Sequence, residues 1–300
     1  GGLAIDALAG EPPLQWHPVA HFGTIMAKTE RCTYADRRIN GVLHLAVGVG
    51  LAAVAGWGLQ RLLGRRVGTA AAVALCAAGR MLDCEAEAVA VMLRAEDLGG
   101  ARRRLRSLAG RDAEDLDARE LARAVIESVA ENLSDAVTAT LWWGSVGGPV
   151  AVSVHRAINT LDAMIGYRDD RYGRFGWAAA RADDLVNFLP ARLTALAVAA
   201  ARPARARAVW RIVRRDAHRH PSPNAGIVEA AFAAVLGLQL GGVNRYGAIV
   251  DDRGTLGDGR RPDVNDIDAA VRLRRDATLV FAAALLIITE VLHRLRWRNT

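Results

Sequence analysis

The sequence predicts an all-α fold, a polytopic helical membrane protein with roughly four to six membrane-embedded helices, and three observations lead there. Its apolar residues, 52% of 300, fall in blocks instead of being spread along the chain. Those blocks are built from Ala, Val, Leu and Gly with only 5% aromatic residues, a composition that suits helices packing through small side chains in lipid. Alternation of apolar and polar residues never persists, so strand signals are nearly absent.

Taken in order, the opening GGLAIDALAG reads as the remnant of an apolar segment, without the pattern of a signal peptide. Residues 41–60, GVLHLAVGVGLAAVAGWGLQ, best meet the length of about 20 apolar residues that a spanning helix needs, with His44 and Gln60 as their strongly polar members. A second block at 67–79 runs into Arg80, Asp83 and Glu87, spaced as one helical stripe, so this helix is expected to be partly buried in protein or to protrude. Asp117 and Glu120 form a D-x-x-E capping pattern before LARAVIESVAENL, which lays Arg123, Glu127, Glu131 and Asp135 along one helical face. Blocks 136–154 and 225–243 are Gly-broken, while 185–201 and 276–292 are just long enough to span or dip into a bilayer. The stretches between them, 99–123, 166–184, 202–224 and 250–275, are too polar for lipid, and DDRGTLGDGRRPDVND in the last reads as irregular loop. No repeat or low-complexity linker interrupts the chain, which is read as one integral-membrane domain over residues 1–300.

The formal charge of +7 would ordinarily raise nucleic acid as a partner. Here the Arg residues flank apolar blocks at 61–66, 202–215 and 294–298, where an anionic membrane surface accounts for them, so nucleic acid is set aside. Lys28 is the sole lysine, which excludes a GxxxxGK[ST] phosphate loop; a nucleotide would have to be held by Arg, backbone amides or a metal. Cys32, Cys76 and Cys84 form neither a CxxC pair nor a disulfide framework.

Polar residues beside apolar helices ask for a reason, because an ion in a membrane costs roughly 2.5–3.5 kcal/mol unless partnered. In ESVAENLSD, Glu127, Glu131 and Asp135 recur every fourth residue with Ser128 and Asn132 alongside; a cation or Arg partner is expected, and a solvated face paired to Arg123 is an equal alternative. In HRAINTLDAMIGYR, His155, Asn159 and Asp162 share a face, followed by Tyr167; a polar helix end leaving the membrane explains these as well. In ARADDLVNFLPAR, Asp183 and Asp184 precede Asn187 by four and three residues, so three oxygen ligands for Mg²⁺ and its phosphates can converge. In DAHRHPSPNAGIVEAA, Asn224, Gly226 and Glu229 open an apolar helix whose N-terminus would suit an anion, or whose first turn Ser222 or Asn224 simply caps. His17 and His21 are four apart, yet Pro18 between them and the lack of HExxH make zinc a poor reading.

These segments together resemble the CobD/CbiB family, the adenosylcobinamide-phosphate synthases of cobalamin biosynthesis. The residues that carry the resemblance are DALAGEPPLQWHPVAHFG, RSLAGRD, ARAVIESVAENLSD, RAINTLDAMIGYRDDRYGRFGWAAARADDLVNFLPARLTAL and DAHRHPSPNAGIVEAAFAAVLGLQLGG, in the family's order over nearly the whole chain. Thr140 departs from the family's usual proline before its aromatic pair. The resemblance implies a plasma-membrane enzyme with a cytoplasmic site that uses ATP and Mg²⁺ to join adenosylcobyric acid to (R)-1-amino-2-propanol or its O-phosphate. It also allows a homo-oligomer or a complex with other cobalamin-assembly enzymes. On that basis Asp183, Asp184, Asn187 and Asp135 are the expected metal ligands, and Glu131 or Asp162 the base that strips the attacking ammonium. Arg156, Arg181 and Arg192 are candidates for phosphate, and His218, Ser222 and Asn224 for the amino-alcohol phosphate or a nucleotide. His17, Asn132, Asn159, Tyr167 and Glu229 complete the expected substrate-binding set. Two other classes compete: a Mg²⁺-dependent intramembrane prenyltransferase, which would show two Asp-rich NDxxD motifs, and a non-catalytic AmpE-like membrane sensor.

Overall fold

The computed structural model describes residues 1–9, 17–108, 113–167, 169–246 and 249–298. The expected motif segments at 10–16 and 109–112 lie outside the described residues. The helices are α1 (Gly2–Ala9), α2 (Pro18–Thr33), α3 (Arg38–Cys76), α4 (Gly79–Arg94), α5 (Leu98–Leu105) and α6 (Ala118–Asn132), then α7 (Ala139–Ile165), α8 (Trp177–Val186), α9 (Phe188–Ala201), α10 (Ala206–Asp216), α11 (Ala225–Leu236) and α12 (Val264–Arg298). A π-helical turn, Leu133–Thr138, joins α6 to α7, and a hairpin of β1 (Leu240–Tyr246) and β2 (Ile249–Leu256) precedes α12. The chain forms two compact units: residues 1–80 with 135–187, and residues 81–134 with 188–300.

In the first unit, the two apolar blocks read separately at 41–60 and 67–79 belong to one element, α3, broken at Gly64 (φ 72°, ψ 166°). The break is a reversal: a Cβ on Gly68 would stand 3.2 Å from the carbonyl oxygen of Leu59, nine residues earlier, whereas nine residues of straight helix would separate them by about 13 Å. Helix α7 bends likewise at Gly148 (φ 66°), just before Pro149, whose ring removes a helical N–H. Helices α3 and α7 pack at glycines. A Cβ on Gly56 would meet Val150 Cα at 2.7 Å, and one on Gly144 would meet Val73 Cγ2 at 3.2 Å. Close approach of backbones through small residues is how helices associate where no hydrophobic force separates them from lipid.

One helical stretch, beginning at Arg38, holds an 18-residue window long and apolar enough to cross a membrane, and only 22% of that window is buried. Its outward side shows Val42, Leu43, Val47, Leu51, Val54 and Trp57 to the surroundings. So large an apolar strip on a soluble monomer would be unusual. Helices α8 and α9 pass the same test only jointly, as a broken span, so the expected four to six spans reduce to one or two clear candidates among the described residues.

In the second unit, α11 is buried on nearly every side, as a helix apolar all round must be. It ends at Gly237 in the left-handed conformation (φ 67°), a C-terminal position that suits glycine. The 250–275 stretch, read as irregular loop, instead supplies β2 and the start of α12. The hairpin is antiparallel from Leu240↔Leu256 to Tyr246↔Ile249, with an irregularity between Gly241 and Val243; glycines at positive φ break the period-2 pattern that would have marked it. The capping box of Asp117 and Glu120 forms as the sequence predicts, at 2.8 and 2.9 Å. Toward its C-terminus α12 leaves Leu279, Leu286, Ile287, Ile288 and Val291 exposed, within the apolar block foreseen at 276–292.

Candidate functional site

In the first unit, polar side chains of α7 meet the end of α8. Nδ2 of Asn187 donates to Oδ1 of Asp183 at 2.9 Å. A carboxylate can only accept, so this bond fixes which way the amide faces. The Asn187 oxygen, 2.8 Å from Nε2 of His155, must then be the acceptor, which places the imidazole proton on Nε2. Asn159 also donates to Oδ1 of Asp183, at 3.3 Å, and receives Nη1 of Arg156 at 3.3 Å. His155 and Asn187 are buried, while Arg156, Asn159 and Asp183 are half-buried. The result is an anchored carboxylate held by two amides, with a cation at one end of the chain of contacts.

Asp184, the next residue on the helix and so about 100° further round, lies 3.6 Å from Arg181. Asp135 sits half-buried in the π-helical turn, which ends the every-fourth-residue repeat at Glu131. The carboxylate of Asp162 folds down against Gly166, occupying the place where a Cβ would be, and Tyr167 is exposed. His17 caps α2, its Nδ1 accepting from Val19 N–H at 3.2 Å. Beside Arg156, a cavity of about 120 Å³ lies between α2, α3 and α7, walled by Phe22, Ala52, Ala55 and Ala157 with Ser153 and Thr160.

The second unit holds another polar cluster on α6, α11 and the hairpin. Glu127, fully buried, accepts from Gly241 N–H at 2.8 Å and pairs with Arg123 at 3.2 Å. Asn132 donates to the Ser128 carbonyl at 3.0 Å and to its hydroxyl at 3.2 Å. Glu229, fully buried on α11, faces Nε2 of His220 at 3.7 Å and Nη1 of Arg253 at 3.9 Å. Ser222 Oγ accepts from the N–H groups of Asn224 and Ala225, so it caps α11, and Nη1 of Arg192 donates to Oδ1 of Asn224 at 3.0 Å.

His218 is exposed. His220, which the sequence did not single out, is the buried histidine of this segment. Burial, and next the Arg253 guanidinium, push its imidazole below the ordinary histidine range, against the opposite pull of Glu131 and Glu127. Two histidines two residues apart gave no sign of which one would turn inward; the glycine at 226 was the available signal, since a Cβ there would collide with His220.

Among the described residues, no three His, Cys, Asp or Glu side chains gather as metal ligands. A closed protein cage for a metal is therefore not what the site offers. Asp183, half-buried and held by two amides, is the residue here that would suit Mg²⁺ of the kind held by one or two carboxylates and sharing the oxygens of a bound phosphate, whereas the oxygen of Asn187 is already engaged with His155. Among the described residues, Cys32, Cys76 and Cys84 form no disulfide.

Fold and site define a helical protein with at least one helix apolar enough to cross a bilayer and with carboxylate–amide networks set among its helices. The chain belongs to the CobD/CbiB family: residues 1–274 match the family described as CobD/Cbib protein. It is 46% identical over 301 residues to the Cobalamin biosynthesis protein CobD of Mycobacterium tuberculosis, covering 98% of this chain and 95% of that one. The proteins of the same name from Geobacter metallireducens (40% identity, 97% and 95% covered) and Chromobacterium violaceum (42%, 95% and 95%) are similar over the same extent. No solved structure matches.

Proposed function

We propose that this protein acts in cobalamin biosynthesis as a plasma-membrane ligase. It would join adenosylcobyric acid to (R)-1-amino-2-propanol or its O-phosphate in an ATP-dependent amide ligation. The observation that supports this reading most is the family match across residues 1–274, to relatives named for that pathway.

The chemistry sets three demands: the carboxylate must be activated, the amine must be neutral when it attacks, and charge developing on the departing phosphate must be stabilised. ATP with Mg²⁺, when bound, would supply the activation and spread the charge over phosphate oxygens. Asp183, with Asp184 and Asp135 as further ligands, would hold that ion, and the contacts of Asn159 and Asn187 already in place would keep Asp183 from turning away. Arg156 and Arg181 would face phosphate in the first unit, and Arg192 in the second. Glu131 or Asp162 would take the ammonium proton before the neutral amine attacks; the nitrogen then loses its second proton as the C–N bond forms and the phosphate leaves. The site would lie on the cytoplasmic side, where ATP is available; the arginines do not decide it, since they flank both ends of the 41–60 block.

The test is an assay of the purified protein in detergent with adenosylcobyric acid, ATP and each of the two amines, following ATP consumption and the amide product. Formation of adenosylcobinamide or its phosphate is expected. Turnover of allyl diphosphates instead would establish the prenyltransferase class, and absence of turnover with all of these substrates would favour an AmpE-like sensor.

A further inference from the structure

In the second unit, helix α10 sorts its residues onto two sides. Val209, Ile212 and Asp216, spaced i, i+3 and i+7, are buried, and the helix packs against α11. Arg207, Trp210, Arg211 and Arg214, spaced i, i+3, i+4 and i+7, form the opposite stripe. All four are exposed, Trp210 at 60%.

The stripe is cationic. From Arg202 to Asp216 the chain carries six arginines and one acidic residue, and that residue, Asp216, is buried. Arg211 and Arg215 share the carboxylate of Asp258, at 3.7 and 2.6 Å, which steadies the stripe without neutralising it. The Arg214 guanidinium lies 5.8 Å from the centre of the Trp210 ring, so charge and aromatic surface face outward together.

Arg202 fixes where the basic segment begins. Its Nη2 donates to Oδ2 of Asp276 at 2.7 Å, on α12 just before the exposed Leu279. From there Leu286, Ile287, Ile288 and Val291 continue an exposed apolar strip, about 18 Å long from 279 to 291. The arginines of α10 therefore start at the end of a surface that favours lipid over water.

An acidic soluble partner would use the arginines and leave both Trp210 and the α12 strip unexplained. A bilayer uses all three: acyl chains cover the apolar strip, the indole sits at headgroup level, and guanidiniums meet lipid phosphates. Because protein already covers the apolar side of α10, the helix meets lipid through its charges and its tryptophan alone.

We propose that the outward stripe of α10 is a docking surface for the headgroups of anionic phospholipids. Lipid capture of this kind is independent of the ligase reading.

The experiment uses the full-length protein in neutral detergent at about 0.1 M salt, where exposed charges still act over about 10 Å. Binding of phosphatidylglycerol and of phosphatidylcholine with the same acyl chains is measured by native mass spectrometry. Phosphatidylglycerol is expected to bind at least about tenfold more tightly, with the margin shrinking as salt rises. Arg207→Gln/Arg214→Gln should remove most of that margin; Arg211 is left in place because it pairs with Asp258. Arg103→Gln/Arg119→Gln, which removes two exposed arginines of the same unit on α5 and α6, should keep it. In bilayer discs, phosphatidylglycerol brominated near its headgroup should quench more tryptophan emission in the parent than in Trp210→Phe. Brominated phosphatidylcholine at the same fraction should give a smaller difference. Should the double variant not fold, as read by thermal unfolding, the disc measurement carries the test. Equal binding of the two lipids, equal losses in the two double variants, or quenching unaffected by Trp210→Phe would overturn the proposal. So would binding of tripolyphosphate as tight as that of phosphatidylglycerol, which would make the stripe a site for soluble polyanions.

Discussion

His155 and Asn187 are 32 residues apart in sequence and meet at 2.8 Å with both side chains buried. Asn187 is the hinge of the first-unit network, because one amide serves the imidazole with its oxygen and Asp183 with its nitrogen. Replacing Asn187 by Leu removes both contacts from the interior. Each buried polar group left unsatisfied costs about 1–3 kcal/mol, so thermal unfolding in detergent should show a clear loss, with amide formation falling further than stability does. An Asn187→Leu protein as stable and active as the parent would remove the network from the site.

Gly56 and Gly50 lie on the same helix with opposite surroundings. A Cβ on Gly56 would press on backbone, at 2.7 Å from Val150 Cα, while one on Gly50 would meet nothing within 4 Å. Gly56→Ala is expected to destabilise by about 1–3 kcal/mol, as overpacking does. Gly50→Ala should be neutral or stabilise by up to about 1 kcal/mol, from helix propensity. Paired unfolding curves check the sign of each.

Asp216 is fully buried and accepts from Arg215 at 2.7 Å and from Gly257 N–H at 3.0 Å. Arg215 first, and then Gly257, hold its carboxyl below the ordinary 3.8 in spite of burial. A depressed carboxylate stabilises the fold above its ordinary value and loses that contribution as pH falls through its folded value. Asp216→Asn should therefore cost about 1.5–3 kcal/mol at pH 7, and the gap between parent and variant should close on acidification below pH 3.8. A gap independent of pH would show that charge is not what matters there.

The two neighbouring aspartates should separate in a metal titration. Asp183 is anchored by Asn159 and Asn187, whereas Asp184 pairs with Arg181. Asp183→Ala is expected to lower turnover at least about a hundredfold, near 2.7 kcal/mol of barrier, and excess Mg²⁺ should not restore it. Asp184→Ala should be partly restored by excess Mg²⁺, and chelation should silence the parent. The same Mg²⁺ response from both variants would place the ion elsewhere.

What was legible in the sequence followed from local rules. The Asp117–Glu120 cap, the apolar helix at 41–60 and the meeting of Asp183 with Asn187 all follow from spacing within a turn or two. The chain reversal at Gly64 was legible only in part: Arg61, Arg65 and Arg66 around it separate the two apolar blocks, yet a lone glycine does not say whether a helix bends, ends or turns back. The π-helical turn at Leu133–Thr138 escaped for a related reason: widening one turn of a helix changes no composition. The partnership of His155 with Asn187 and the inward turn of His220 depend on which helices pack together, and no local pattern encodes that.

The reversal at Gly64 also limits how deep the chain can travel. If the arm before it crosses a bilayer, the returning arm, 65–76, rises only about 18 Å, well short of the roughly 30 Å hydrocarbon core. The chain leaves helical geometry at Ala77 and Ala78, partway through the slab, where exposed peptide groups find no water. Both residues are shielded by protein, at 0% and 6% exposure, so the interruption never faces acyl chains. On that condition, a single glycine would let the chain cross once and return only partway, without a second full passage.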